Sequence, residues 1–127
     1  MHEASLVDAL FDQIDTIRAA QPGPPPPAAL RTVRVRLGAQ AGVDAELFTI
    51  AFEVLRQDRG YAAAALTLER EPAEWRCVAC DAVIETENGQ ALRCPACGAG
   101  ARLVRGAEIV LERIELALPS EKGDDHV

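Results

Sequence analysis

Along residues 5–20, Leu6, Val7, Leu10, Phe11, Ile14 and Ile17 recur every three or four positions, with Asp8, Asp12, Asp15 and Arg18 between them. That period predicts an amphipathic helix, and Asp8 in its first turn with Arg18 near its last suits the helix dipole. Pro22 stops the helix, and prolines 24–27 read as a stiff polyproline spacer. Residues 32–37 alternate Val33, Val35 and Leu37 against Arg34 and Arg36, a strand with one buried face. Gly38 and Gly42 flank a turn, and Asp44 stands where an N-cap would. Leu47, Phe48, Ala51, Phe52, Val54 and Leu55 then supply the apolar side of a second helix ending near Arg59 and Gly60. A second strand alternates through Leu66 and Leu68 up to Pro72.

From Trp75 to Gly100 the pattern gives way to cysteines, glycines and polar residues. Apolar alternation resumes over 107–118, with Ile109 and Leu111 on one phase and Ile114, Leu116 and Leu118 on the other, which predicts a third strand with a bulge near Glu112 and Arg113. Because a strand returns after the cysteines, their segment is an insertion. The expected fold is α+β: two helices packed on a three-stranded sheet, with an inserted small four-cysteine zinc-ribbon domain. Its expected divisions are 1–72 plus 107–118, an insertion at 73–106, and an acidic tail at 119–127.

Composition sharpens this picture. A chain of 127 residues has room for one domain or for a small domain carrying a smaller one. Apolar residues make up 49%, but only five are aromatic, so the core is expected to be modest and built mainly from Ala, Val, Leu and Ile. Small domains of that kind usually recruit disulfides or a metal. The net charge of −7 argues against nucleic acid, whose affinity rests on cations that displace counterions. No apolar run is long enough to cross a bilayer, and His2, Glu3 and Asp8 replace the basic and apolar regions of a secretory signal. The expectation is a cytoplasmic chain whose cysteines are thiolate ligands.

Cys77-Val-Ala-Cys80 and Cys94-Pro-Ala-Cys97 form two C-x2-C pairs at zinc-ribbon spacing. Each pair can make a tight turn with backbone N–H groups aimed at sulfur, and Gly98 and Gly100 supply permissive backbone. Two disulfides, a redox-active pair or a rubredoxin-type iron centre use the same residues. A closed set of four thiolates most often holds Zn²⁺, and it leaves no coordination position for water or substrate, so the metal is structural.

The first residues carry a second chelating pattern. The Met1 amine, the His2 amide nitrogen and the His2 imidazole can close adjacent five- and six-membered rings on one metal. With the amide ionised, the field is square planar and suits Ni²⁺ or Cu²⁺. A lone histidine at position 2 is otherwise an ordinary surface residue.

Beginning MHEASL, and continuing through VRVRLG, GVDAELFTIAFEVL and the paired C-x2-C motifs to a closing strand, the sequence resembles the HypA/HybF family of nickel-incorporation proteins over nearly its whole length. The resemblance implies nickel ligands at the Met1 amine, the His2 backbone and side chain, and the Glu3 backbone amide. It implies structural zinc on Cys77, Cys80, Cys94 and Cys97, and makes Asp44 a candidate neighbour of the bound His2, in competition with its cap role. It further implies delivery of Ni²⁺ to a [NiFe]-hydrogenase large subunit with a HypB-type GTPase, and in some members service to urease and its accessory proteins. The proline run and the acidic tail with His126 are departures that touch no ligand position. No nucleophile paired with a base and no phosphate-binding glycine loop is evident, so no enzyme is expected. The rival readings are a zinc-ribbon adaptor that binds only protein, without nickel, and a rubredoxin-like electron carrier.

Overall fold

The computed structural model describes residues 2–86 and 91–117. The elements are α1 (His2–Ala19), a 3-10 turn (Pro27–Ala29), β1 (Leu30–Gly38), α2 (Ala45–Asp58), β2 (Ala65–Glu71), β3 (Glu74–Cys77), β4 (Val83–Ile84), β5 (Ala101–Arg105) and β6 (Ile109–Leu116). They build two three-stranded sheets, ordered β2-β1-β6 and β4-β3-β5. The α+β expectation holds. The chain divides into two compact units, one of Met1–Val35, Asp44–Thr67 and Leu111–Val127, the other of Arg36–Val43 and Leu68–Val110.

In the first unit, α1 begins three residues earlier than the apolar period implied, so Glu3, not Asp8, supplies the acid of the first turn. Val7, Leu10, Phe11 and Ile14 are buried as patterned. Phe48 and Phe52 of α2 are wholly buried, but Leu47 and Val54, placed by pattern on its apolar side, are 50% and 59% exposed. The reason is angular. At 100° per residue the row containing Phe48 and Phe52 faces inward, and Leu47 and Val54 lie more than a quarter turn away.

Phe11 stacks on Phe52 and on Tyr61, each with ring centroids 5.2 Å apart. Tyr61, Phe11, Phe48 and Phe52 head the fully buried side chains by volume. The expectation of a core built mainly from Ala, Val, Leu and Ile holds by number, with Val7, Ile14, Leu30, Val33 and Val35 among its members, and four of the five aromatic residues are buried with them.

Arg59, one residue beyond α2, lies over the Phe11 ring, 5.6 Å from its centroid. Its guanidinium reaches Asp8 at 2.7 Å, Asp12 at 2.9 Å and Asp15 at 2.7 Å. Those three carboxylates stand at i, i+4 and i+7 on one face of α1, so the clamp fastens the end of α2 to α1. Asp15 also accepts the Tyr61 hydroxyl. Burial alone would raise the Asp15 carboxyl, but Tyr61 and Arg59 together hold it below its ordinary value. Arg18 donates to the Tyr61 oxygen at 3.2 Å and to the Pro25 carbonyl at 2.8 Å. Pro25 is buried, so the proline run is a packed corner here, not merely a spacer, and Pro27 opens the 3-10 turn that leads into β1.

The Gly38 N–H donates to Glu108 at 2.9 Å and the Ala117 N–H to Ala29 at 2.7 Å. These two bonds run β1 and β6 antiparallel.

In the second unit β3 is central, pairing Trp75 with Ile84 of β4 and with Leu103 of β5. Its buried cluster is Cys77, Ile84 and Cys94, with Trp75, Ala91, Ala99 and Ala101 packed against it. The cysteine segment enters and leaves at one point. Gly106 has φ +91, and a Cβ there would lie 2.9 Å from both the Pro72 oxygen and the Ala73 Cα. A Cβ on Gly38 would lie 2.3 Å from the Gly106 oxygen, which accepts the Gln40 N–H at 2.7 Å.

Replacing Arg59 by Met keeps the stem over Phe11 and removes the clamp, so unfolding free energy should drop by about 1–2 kcal/mol in urea titration at neutral pH. Because the folded Asp15 carboxyl lies below its ordinary value, its contribution is complete above about pH 4 and is lost as pH falls further. The gap between wild type and Arg59→Met should therefore narrow in acid. Gly106→Ala combines a left-handed backbone with a backbone clash and should cost about 2–4 kcal/mol by the same measurement.

Candidate functional site

The two cysteine pairs fold into the same turn. Cys77 donates its N–H to Ala82 and accepts from Asp81, and Cys94 likewise donates to Ala99 and accepts from Gly98. The fifth residue of each turn takes a left-handed backbone, Asp81 at φ 63 and Gly98 at φ +79. Glycine does this freely, and aspartate is among the few other residues that tolerate it. Asp81 is held there by Arg102, which donates to its carboxylate at 2.9 Å, and by Arg76, which donates to its carbonyl at 3.0 Å. The sequence reading passed over Asp81. Laying Cys77-Val-Ala-Cys80-Asp81 beside Cys94-Pro-Ala-Cys97-Gly98 would have found it.

The four sulfurs lie within 4.8 Å of one another, the group able to hold a metal among the described residues. Cys77 and Cys97 are 3.4 Å apart, and Cys80 is 3.9 Å from both Cys94 and Cys97. Sulfurs about 2.3 Å from a tetrahedral Zn²⁺ are about 3.8 Å from one another, so the set fits the ion. A disulfide would bring two sulfurs to about 2.05 Å, and all four cysteines are free. Cys77 and Cys94 are buried, whereas Cys80 and Cys97 face solvent.

The electrostatics of the cluster call for a cation. The Cys80 N–H, helped by that of Ala79, draws the Cys77 thiol down to about 6 in spite of burial. Ala99 likewise pulls on Cys97, but Cys77, burial and the other two sulfurs outweigh it and push that thiol up to about 11. The first thiolate forms readily and then opposes the rest. A divalent ion supplies the charge that lets all four ionise.

At the other candidate site, His2 is exposed in the first turn of α1. Met1 lies outside the described residues, as does the tail with His126. The Glu3 carboxylate accepts the Asp44 N–H at 3.0 Å, and that donor above all, with its own N–H, holds the Glu3 carboxyl below its ordinary value. The Asp44 carboxylate accepts the N–H groups of Glu46 at 2.9 Å and Leu47 at 3.1 Å, so it caps α2. The structure thus joins Glu3 to Asp44. Among the described residues no hydrogen bond links Asp44 to His2.

Paired knuckles around one sulfur cluster place the molecule in the class of small α+β proteins stapled by a four-cysteine metal centre. Residues 1–116 match the family described as "Hydrogenase/urease nickel incorporation, metallochaperone, hypA", and the chain belongs to that family. A hydrogenase maturation factor HypA of Roseiflexus sp. is 34% identical over 116 residues, covering 91% of each chain. That of Solidesulfovibrio magneticus is 35% identical over 120 residues, covering 91% of this chain and 99% of its own. The fold is similar to the solution structure of the Ni metallochaperone HypA from Helicobacter pylori, with TM-score 0.64, 23% identity, and 91% and 97% of the two chains covered. A structural zinc site and nickel as cargo both accord with this family. Among the described residues no helix is long and apolar enough to cross a membrane.

Cys94→Ser should lower bound zinc from about one per chain to near zero by elemental analysis. It should also abolish amide-exchange protection across β3 and β5 while the α-helical circular dichroism persists.

Proposed function

We propose that this chain binds Ni²⁺ through the Met1 amine, the His2 amide and imidazole, and the Glu3 amide, and delivers it during maturation of a [NiFe]-hydrogenase. The observation that carries this reading is the position of His2: an exposed side chain in the first turn of α1. The first four N–H groups of a helix have no partner within it, so the His2 and Glu3 amides can lose a proton to a metal without costing the helix a bond. The pull of Asp44 on the Glu3 side chain anchors that turn. Asp44 supports the site through this link and keeps its cap on α2.

Nitrogens in a plane suit Ni²⁺ and leave its two faces open, so an incoming ligand can reach the ion. Release to a deeper site needs only that a partner supply more or better ligands. The zinc module, residues 73–106 in this reading, holds its shape around a closed S₄ site and does no catalysis. The recipient is the large subunit of a [NiFe]-hydrogenase working with a HypB-type GTPase, and urease maturation is a second outlet. A reading without nickel, as a zinc-ribbon adaptor, is favoured by one feature: Val78 and Leu92 of the second unit are 59% and 83% exposed.

Nickel titration of protein with a native terminus should show one site of moderate affinity, lost in His2→Ala and in any variant extended before Met1, with zinc content unchanged. Binding displaces protons from the ligand nitrogens, so nickel affinity should fall as pH is lowered. Equal affinity in wild type and His2→Ala would leave the adaptor reading in its place.

A further inference from the structure

Among the described residues of the first unit, Leu47, Ile50 and Val54 are the exposed large apolar side chains, at 50%, 53% and 59%. Spacings of three and four residues place them on one stripe along α2. Glu3 and Ala4 of α1 join Leu47, Ile50 and Ala51 around a mainly apolar hollow of about 170 Å³. The hollow begins one residue from His2. On the other border of the stripe stand Glu46 and Glu53, both exposed. Arg56, the basic residue of α2, is turned to the Ala62 and Ala64 carbonyls and to Glu53. An aliphatic stripe in water adds nothing to folding, and contiguous patches of this kind commonly serve recognition. A second copy would bring its own acidic border against this one, which like-charge repulsion opposes.

We propose that this stripe and hollow dock an amphipathic helical segment of a partner protein, with a row of aliphatic side chains bordered by Lys or Arg. One aliphatic side chain enters the hollow, and the basic border meets Glu46 and Glu53. The purpose of the surface rests on the nickel reading above. Docking beside His2 raises the effective concentration of the partner's metal ligands there. Nickel then moves as Ni²⁺ with no change of oxidation state: its bonds to the terminal nitrogens break as bonds to the partner form, and each released amide nitrogen regains a proton from water.

The test uses zinc-loaded, nickel-free full-length protein and two helical peptides of about fifteen residues with the same leucine row, one bordered by Lys and one by Glu. The basic peptide should shift amide resonances of residues 47–54 and bind at least about tenfold more tightly than the acidic one, the difference shrinking in high salt. Ile50→Gln combined with Val54→Gln should weaken the basic peptide about tenfold or more, with zinc content and helical dichroism unchanged. If that pair fails to fold, Ile50→Ala alone serves. In nickel-loaded protein, the basic peptide carrying a histidine pair at its end should strip nickel about tenfold faster than a shuffled peptide with the same pair, and the Gln variant should lose the advantage.

Equal binding of the two peptides, or binding indifferent to Ile50 and Val54, overturns the proposal. So does self-association that the same substitutions abolish, which would assign the stripe to a second copy. Protein that docks the peptide yet binds no nickel refutes the nickel reading alone. Protein that binds nickel but ignores the peptide refutes the docking surface alone.

Discussion

Phe11 is held between two other rings, and the first unit is arranged around that stack. Aromatic pairs contribute about 0.5–1.5 kcal/mol each beyond their burial, and the cations of Arg59 and Arg18 lie over Phe11 and Tyr61. Because Arg59 also gathers three carboxylates of α1, the two helices are fixed both along their buried faces and at the end of α2. Their starts are fixed by Glu3 on Asp44. With both ends of the helix pair tied, the first turn of α1 has a defined place at the surface. The chelating role proposed above for the terminus needs that, since ligands that must first be ordered bind more weakly.

The second unit solves a different problem. Among the described residues its buried cluster contains three, two of them cysteines, too little apolar area to offset the entropy of ordering the segment. Backbone N–H groups prepare one thiolate, and the crowding of the remaining sulfurs leaves the cluster short of positive charge. Metal affinity is therefore folding free energy in this unit. In the first unit the same role falls to hydrocarbon and rings.

Much of this was legible in the sequence because it rests on periodic signals. The spacing of Val33, Val35 and Leu37, the Asp44 cap and the two C-x2-C pairs are local patterns with few alternative meanings. What escaped depends on contacts between distant residues. Nothing near Tyr61 announces that it completes a stack with Phe11, fifty positions earlier, or that Arg59 has three partners on α1. The apolar side of α2 was read as one face because a pattern records which residues are oily, not how wide a neighbour is available to cover them. Leu47 and Val54 are its uncovered members, and Ile50, which that reading left out, is exposed beside them. The proposed chelating terminus had a chemical signature in His2, but only the family resemblance separated it from an incidental surface histidine.

At the neck of the cysteine segment, Gly106 sits against Pro72 and Ala73 with no space for a side chain. The two ends of the segment are thus held together as closely as in a tight hairpin, whatever lies between them. For the host strands, a whole metal-bound module and a short loop are geometrically equivalent inserts. The closeness of that neck depends on two glycines, Gly38 and Gly106, neither of them a metal ligand, because a side chain on either would collide with backbone across it.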